Sequence, residues 1–434
     1  MKYQHLPQEF YIENRIKFCA KMQPGSIAIF TSNDEMPRNA DAFHNWRQNS
    51  DILWLTGIDQ EHTMLILFPD SPNPDFKEVL YLRETNETIE TWEGHKYSKD
   101  EAHETSGIHT IHWNHVFKQQ LHPAIVLAEN VYMNLNEHDR AAIQVPNQEQ
   151  RLAKDIRDQY PLHRYHRAAP ILHRLRAVKS AIEIEQLKHA IEIANKAFRR
   201  LLNFVKPGVM EYEVEAELIH EYIRNAGTGH AFQPIVASGS SACILHYVEN
   251  NRPCKDGDLL LVDTGCEYAN YNSDLTRCIP VNGKFSKRQK EVYEAVLRLQ
   301  ETAMKLYLKP GTVLQQYHIE FGRHISEECI KLGLLKNEEV MRNPLAYKKY
   351  CVHGISHHLG LDVHDSGLRW EKMEPGMVFT VEPGIYIAEE GIGVRIENNV
   401  LISETGCVDL MPQIPKQIDE IEKLMANRKT EMAH

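Results

Sequence analysis

The sequence predicts an α/β chain of two domains: a small N-terminal α/β domain over 1–172 and a larger, internally pseudo-symmetric domain over 173–434. Three observations predict it. Short apolar runs alternate with polar segments in the first part, a long helical pattern opens the second, and the second part repeats itself.

In the first part, Ser26-Ile-Ala-Ile-Phe30, Thr63-Met-Leu-Ile-Leu-Phe68 and Glu78-Val-Leu-Tyr-Leu82 are strand-like runs bounded by Pro, Asp or Asn. Ala168-Ala-Pro170 leads out of this region. A helix is then predicted from 180 to 204, with Ser180 as N-cap, Glu183 three residues on, and Lys206-Pro-Gly208 as the stop.

The repeat comes next. Lys206-Pro-Gly208 precedes a helical segment ending at Asn225-Ala-Gly227, and Lys309-Pro-Gly311 precedes one ending at Lys331-Leu-Gly333. Further on, Asp256-Gly-Asp-Leu-Leu-Leu-Val-Asp-Thr-Gly265 aligns without gaps against Pro375-Gly-Met-Val-Phe-Thr-Val-Glu-Pro-Gly384, so that Asp263 matches Glu382. Each copy is a turn, a buried strand and a carboxylate at the strand's end. Two such units bring their carboxylates to a common centre.

Asp274 lies eleven residues after Asp263 across a Gly- and Asn-interrupted stretch, a spacing that suits a hairpin and not one helical face. Glu397, in Gly393-Val-Arg-Ile-Glu397, follows Glu382 in the same way. Four clustered carboxylates cannot all stay ionised unaided, because like charges raise one another's pKa. Two divalent cations would balance them. Oxygen-rich ligation with one imidazole suits Mn²⁺, Co²⁺ or Zn²⁺. The imidazole can come from the His-rich segment His353-Gly-Ile-Ser-His-His-Leu-Gly-Leu-Asp-Val-His364.

Composition narrows the rest. Hydrophobic residues at 42% and charged residues at 25% describe a globular chain, and a formal net charge of −11 argues against a nucleic-acid partner. The eight cysteines contain no CxxC pair and read as reduced thiols. Residues 1–20 lack a signal-peptide core and no apolar run is long enough to span a bilayer, which predicts a cytoplasmic address and no membrane partner.

The segments His246-Tyr-Val-Glu-Asn250, Val262-Asp-Thr-Gly265 with Asp274, His353-Gly-Ile-Ser-His357, Leu361-Asp-Val-His364, Thr380-Val-Glu-Pro-Gly384 and Gly393-Val-Arg-Ile-Glu397 together resemble the aminopeptidase P family of pita-bread metallopeptidases. Trp46-Arg-Gln-Asn-Ser-Asp51 extends the resemblance into the first domain. It implies a creatinase-like N-terminal domain, a pita-bread catalytic domain and hydrolysis of the N-terminal Xaa-Pro bond of peptides. It assigns Asp263 to one of two metal ions, His357 and Glu382 to the other, and Asp274 and Glu397 as bridges, with Mn²⁺ the first expectation. A hydroxide between the ions would be the nucleophile and Glu382 the proton shuttle. By the same resemblance His246 and His364 contact the substrate, His353 lines the pocket, and Arg395 orients a neighbouring carboxylate. Asp41 and Trp92 resemble residues that in some relatives reach a neighbouring subunit's site, and a homodimer or homotetramer is implied.

One position departs from the pattern: His358 stands where many relatives carry Trp, which bears on pocket shape and metal binding. Prolidase, which takes Xaa-Pro dipeptides, is the nearest competing activity. Methionine aminopeptidases usually lack so long an N-terminal part, and creatinase-like enzymes do not keep this ligand set. A non-catalytic peptide-binding module is the alternative from another class.

Overall fold

The computed structural model describes residues 3–431. The chain divides into two compact units, one spanning Gln4–Arg176 and the other running from Ala177 onward together with Tyr3. Among the described residues no helix is long and apolar enough to cross a membrane.

The N-terminal unit is built on one six-stranded mixed sheet, ordered Thr110–Trp113, Glu78–Leu82, Met64–Leu67, Ser26–Thr31, Asn130–Met133, Arg164–Arg167. The three strand-like runs of the sequence are its centre and inner edge. Alternation places Ile27, Ile29, Ile66, Val79, Tyr81 and Val131 on one face, where they pack on Phe117, Leu121, Ile125, Ala153 and Ile156 from the covering helices.

Beside this core lies a buried polar knot. Asn49 caps the helix Ser50–Thr56 by accepting the Asp51 N–H at 2.9 Å. Asp51 pairs with Arg176 at 2.6 Å and accepts from Asn134 at 2.9 Å. Asn134 and Asn49 each donate to one oxygen of Glu149, both at 3.2 Å. Burial, with the Asp51 charge adding to it, raises the Glu149 pKa well above its ordinary 4.5. The folded chain therefore keeps a proton that the unfolded chain loses, and stability falls as pH rises above that ordinary value. Glu149→Gln copies the protonated form. Its melting temperature is expected to fall less than the parent's between about pH 5 and pH 8, read by calorimetry at both ends; parallel decline in the two proteins would show that Glu149 ionises freely.

The second unit opens with the helix Ala181–Phe204, where the Ser180 N–H and hydroxyl both donate to Glu183, at 2.8 and 2.9 Å. The two Lys-Pro-Gly turns follow their expected places: Gly208 and Gly311 sit at φ +95° and +87°, and helices Glu211–Arg224 and Leu314–Lys331 come after them.

Two antiparallel hairpins carry the carboxylates. In the first, Leu259–Thr264 pairs with Leu275–Pro280, and Asp263 stands opposite Thr276. The tip continues that register, with Ser273 N–H on the Cys266 carbonyl, so Gly265 faces Asp274. A Cβ on Gly265 would lie 1.9 Å from the Ser273 oxygen, so only glycine lets the strands close here. In the second hairpin Val381 stands opposite Asn398 and Gly384 opposite Arg395, which sets Glu382 opposite Glu397. The hairpins join where the Glu397 N–H donates to the Thr276 carbonyl at 3.1 Å. Arg277, fully buried, clamps the same junction through the Glu397 carbonyl and the Asn398 side chain.

The registers expose an offset that the sequence repeat hides. Matching Gly265 to Gly384 puts Asp274 where the second copy has Arg395, and Thr276 where it has Glu397. Asp263 and Glu382 share a rung, but the return strands carry their acids on different rungs, which leaves Thr276 opposite Asp263 and Arg395 opposite Gly384.

Candidate metal centre

Asp274, His357 and Glu397, all buried, each offer one ligand atom within 4.8 Å of the others. The His357 Nε2 lies 3.4 Å from Asp274 Oδ2 and 3.4 Å from Glu382 Oε1. Its Nδ1 donates to the His358 carbonyl at 2.9 Å, which leaves the Nε2 lone pair for the centre of the cluster. Thr380 holds both neighbours: its hydroxyl accepts the His357 N–H at 3.0 Å and donates to Glu382 at 3.3 Å.

Among the described residues, Arg395 brings a guanidinium into this group. It donates to Asp263 at 2.6 Å, to the Thr276 hydroxyl at 3.1 Å and to the Tyr386 hydroxyl at 2.7 Å. Thr276 in turn donates to Glu397 at 2.7 Å. Arg395 thus fixes one oxygen of Asp263 directly and one of Glu397 through Thr276. The other oxygens, Asp263 Oδ1 and Glu397 Oε1, are buried without a hydrogen-bond partner. An acceptor left so costs about 1–3 kcal/mol, and a cation is the partner that would satisfy both.

The charges agree with that fit. Burial first, and the neighbouring carboxylates after it, raise Asp274 and Glu397 well above their ordinary values. Glu382 is pushed up to about 7 by burial, with His357 opposing and Asp274 reinforcing. Without cations the cluster must hold protons; divalent cations can take their place.

The remaining expected residues fall into three groups. His353 faces the network: its Nδ1 donates to the Gly354 carbonyl at 2.7 Å and its Nε2 accepts from Tyr386 at 2.8 Å. Burial, then Arg395, lowers its pKa to about 4, so the ring is neutral at physiological pH. His246 and His364 are exposed, and His364 stacks edge-on to His357 with ring centroids 4.5 Å apart. Asp41 and Trp92 are exposed residues of the N-terminal unit and are not among the clustered groups.

His358 is buried. Its ring packs on Phe379 at 4.3 Å, and a Cβ on Gly367 would meet it at 2.2 Å. It fills a packing position behind the ligand strand. The loop that carries these histidines is tied down by Asn272, which donates to the Leu361 carbonyl at 2.8 Å, and by the buried pair Lys179–Asp365 at 2.8 Å.

Sequence reasoning missed Thr276, Thr380 and Tyr386. Neither Thr276 nor Tyr386 carried a signal, because only strand pairing brings the two hydroxyls to the cluster.

Comparison with known proteins follows the same lines. The sequence profile of Metallopeptidase family M24 matches residues 185–404, and that of the Aminopeptidase P N-terminal domain matches residues 11–132. The Xaa-Pro aminopeptidase of Escherichia coli strain K12 is 38% identical, over 96% of this chain and 97% of that protein. A Bacillus anthracis structure assigned to aminopeptidase P superposes with a TM-score of 0.91 at 31% identity, covering 98% of this chain and 99% of that one. The Xaa-Pro dipeptidase of Rattus norvegicus is 29% identical, over 97% of this chain and 94% of that protein.

Proposed function

The chain belongs to metallopeptidase family M24, and from that membership we propose that it is a Xaa-Pro aminopeptidase, removing the first residue from peptides whose second residue is proline. The observation that carries this is the convergence of Asp274, His357 and Glu397 with the partnerless oxygen of Asp263 and with Glu382 beside His357. Asp263, Asp274, His357, Glu382 and Glu397 would hold two divalent ions, with Mn²⁺ the first expectation. Borderline and hard cations favour such oxygen-rich sets, and no thiol is in the group.

Divalent ions held there would supply Lewis-acid polarisation of the scissile carbonyl and a water of lowered pKa. The chain's own part is proton handling and orientation. Glu382, beside the His357 ring, is placed to accept a proton and return it to the departing proline nitrogen. Thr380 holds one of its oxygens in place for that exchange. Neutral His353 and exposed His246 and His364 offer imidazole contacts to the peptide. Arg395 aims Asp263 through its hydrogen bond to one carboxylate oxygen.

The test compares an Arg-Pro-Pro-type tripeptide with the Arg-Pro dipeptide, using Mn²⁺-loaded protein and an EDTA-treated control. Free arginine from the tripeptide, abolished by EDTA, is the expected result. Turnover of the dipeptide alone would make the chain a prolidase; turnover of neither would favour a peptide-binding role.

A further inference from the structure

Strands Ile235–Ser238 and Leu259–Thr264 are hydrogen-bonded neighbours, with Ile235 opposite Asp263, yet the chain makes a long excursion over 239–258 between them. His246 stands on that excursion. An exposed ring on a long loop has no fixed position unless its neighbours supply one.

One carboxylate does so. Glu211, the first residue of helix Glu211–Arg224, has no solvent exposure. Its Oε1 accepts the Ser238 N–H at 2.7 Å, where the excursion leaves the strand. Its Oε2 accepts the Arg252 N–H at 2.9 Å, on the return limb, and the Tyr247 hydroxyl at 2.8 Å, in the middle. The Glu211 N–H also donates to the Arg252 carbonyl at 3.0 Å. A helix N-terminus favours the negative charge, and three donors satisfy it. One turn further along, Glu215 receives the Asn250 amide at 2.8 Å. Asn250, held at φ +46°, also accepts from Val236 N–H at 3.0 Å and donates to the Pro234 carbonyl at 3.0 Å. Of these anchors only the Tyr247 hydroxyl contact adjoins His246 directly, and it can be removed without touching the backbone bonds.

We propose that Glu211 is a positioning residue which, through the Tyr247 hydroxyl, sets the place of the His246 ring at the site. This rests on the assignment of His246 as a substrate contact. Packing alone would be satisfied by phenylalanine at 247, so a purely structural Tyr247 predicts no kinetic effect from its loss.

The experiment uses Mn²⁺-loaded protein and the proline tripeptide, with Tyr247→Phe, His246→Ala, their double variant and Glu211→Gln. Tyr247→Phe is expected to lower kcat roughly tenfold, the loss of one hydrogen bond to a charged acceptor felt in the transition state. KM and metal content stay near the parent values, while the melting temperature falls by a few degrees with the lost hydrogen bond. In the His246→Ala background the same change is expected to cost nothing more, since the ring it places is gone. Glu211→Gln, with one acceptor oxygen for three donors, should lower kcat at least as far; if it fails to fold, Tyr247→Phe still decides. Parent-like kinetics in Tyr247→Phe, or an undiminished loss in the double variant, overturns the positioning role and leaves the aminopeptidase assignment standing. A parent protein that cleaves no Xaa-Pro peptide overturns that assignment and this role with it.

Discussion

Glu397→Gln is expected to lower kcat/KM on a proline tripeptide by at least about a thousandfold, because it removes a ligand oxygen that no neighbour can replace. Glu397 faces Glu382 across the second hairpin, has one oxygen bound by Thr276 and keeps the other buried and partnerless. Glutamine has the same shape but offers an amide nitrogen that cannot ligate a cation. Metal content by mass spectrometry is expected to fall below the parent stoichiometry. The fold should survive. Burial and the neighbouring acids already favour the neutral form of Glu397, and glutamine imitates that form. The metal-free variant is therefore expected to melt no lower than the metal-free parent. Parent-like metal content together with parent-like turnover would remove Glu397 from the ligand set.

The reason this site can be read from sequence is that its ligands lie at strand ends, where polarity changes abruptly. Asp263 and Glu382 each close a run of buried apolar residues, and a charged side chain there has to be compensated. Gly265, by its position after Asp263, marks the tight hairpin closure that the structure shows. Strands such as Ser26–Thr31 were legible for the same reason: their apolar runs are short and punctuated.

What the sequence hides is register. The repeat equates Asp263 with Glu382 and suggests that the two copies are interchangeable. The strand pairing shows a shift of two residues in which positions carry acids, and this leaves Arg395 facing Thr276 across the junction. No periodicity rule reports such a shift, because both alternatives keep the same side chains on the same face. Contacts between distant segments are hidden for a similar reason. The Lys179–Asp365 pair and the Glu211–Tyr247 bond join residues 186 and 36 positions apart, and neither member carries a local signature of its partner.

Metal removal is expected to change stability more at alkaline than at acid pH. In the metal-free protein Glu382 keeps its proton up to about 7, whereas in the unfolded chain it ionises near 4.5. Between those values the folded state binds more protons than the unfolded state, so folding stability is lost as pH rises through that window. Asp274 and Glu397 shift in the same direction and extend the effect. Below about pH 4.5 both states are protonated and the penalty vanishes. Divalent ions reverse the balance by replacing those protons with a favourable partner, and each ion bound releases protons to solvent. The melting temperature of Mn²⁺-loaded protein minus that of EDTA-treated protein should therefore widen from about pH 5.5 to pH 8, reaching roughly 5–10 °C when metal is about a hundredfold above its Kd. Glu397→Gln should narrow that difference at every pH. A gap that stays constant with pH would mean that the cluster ionises without cations, with Arg395 alone compensating it.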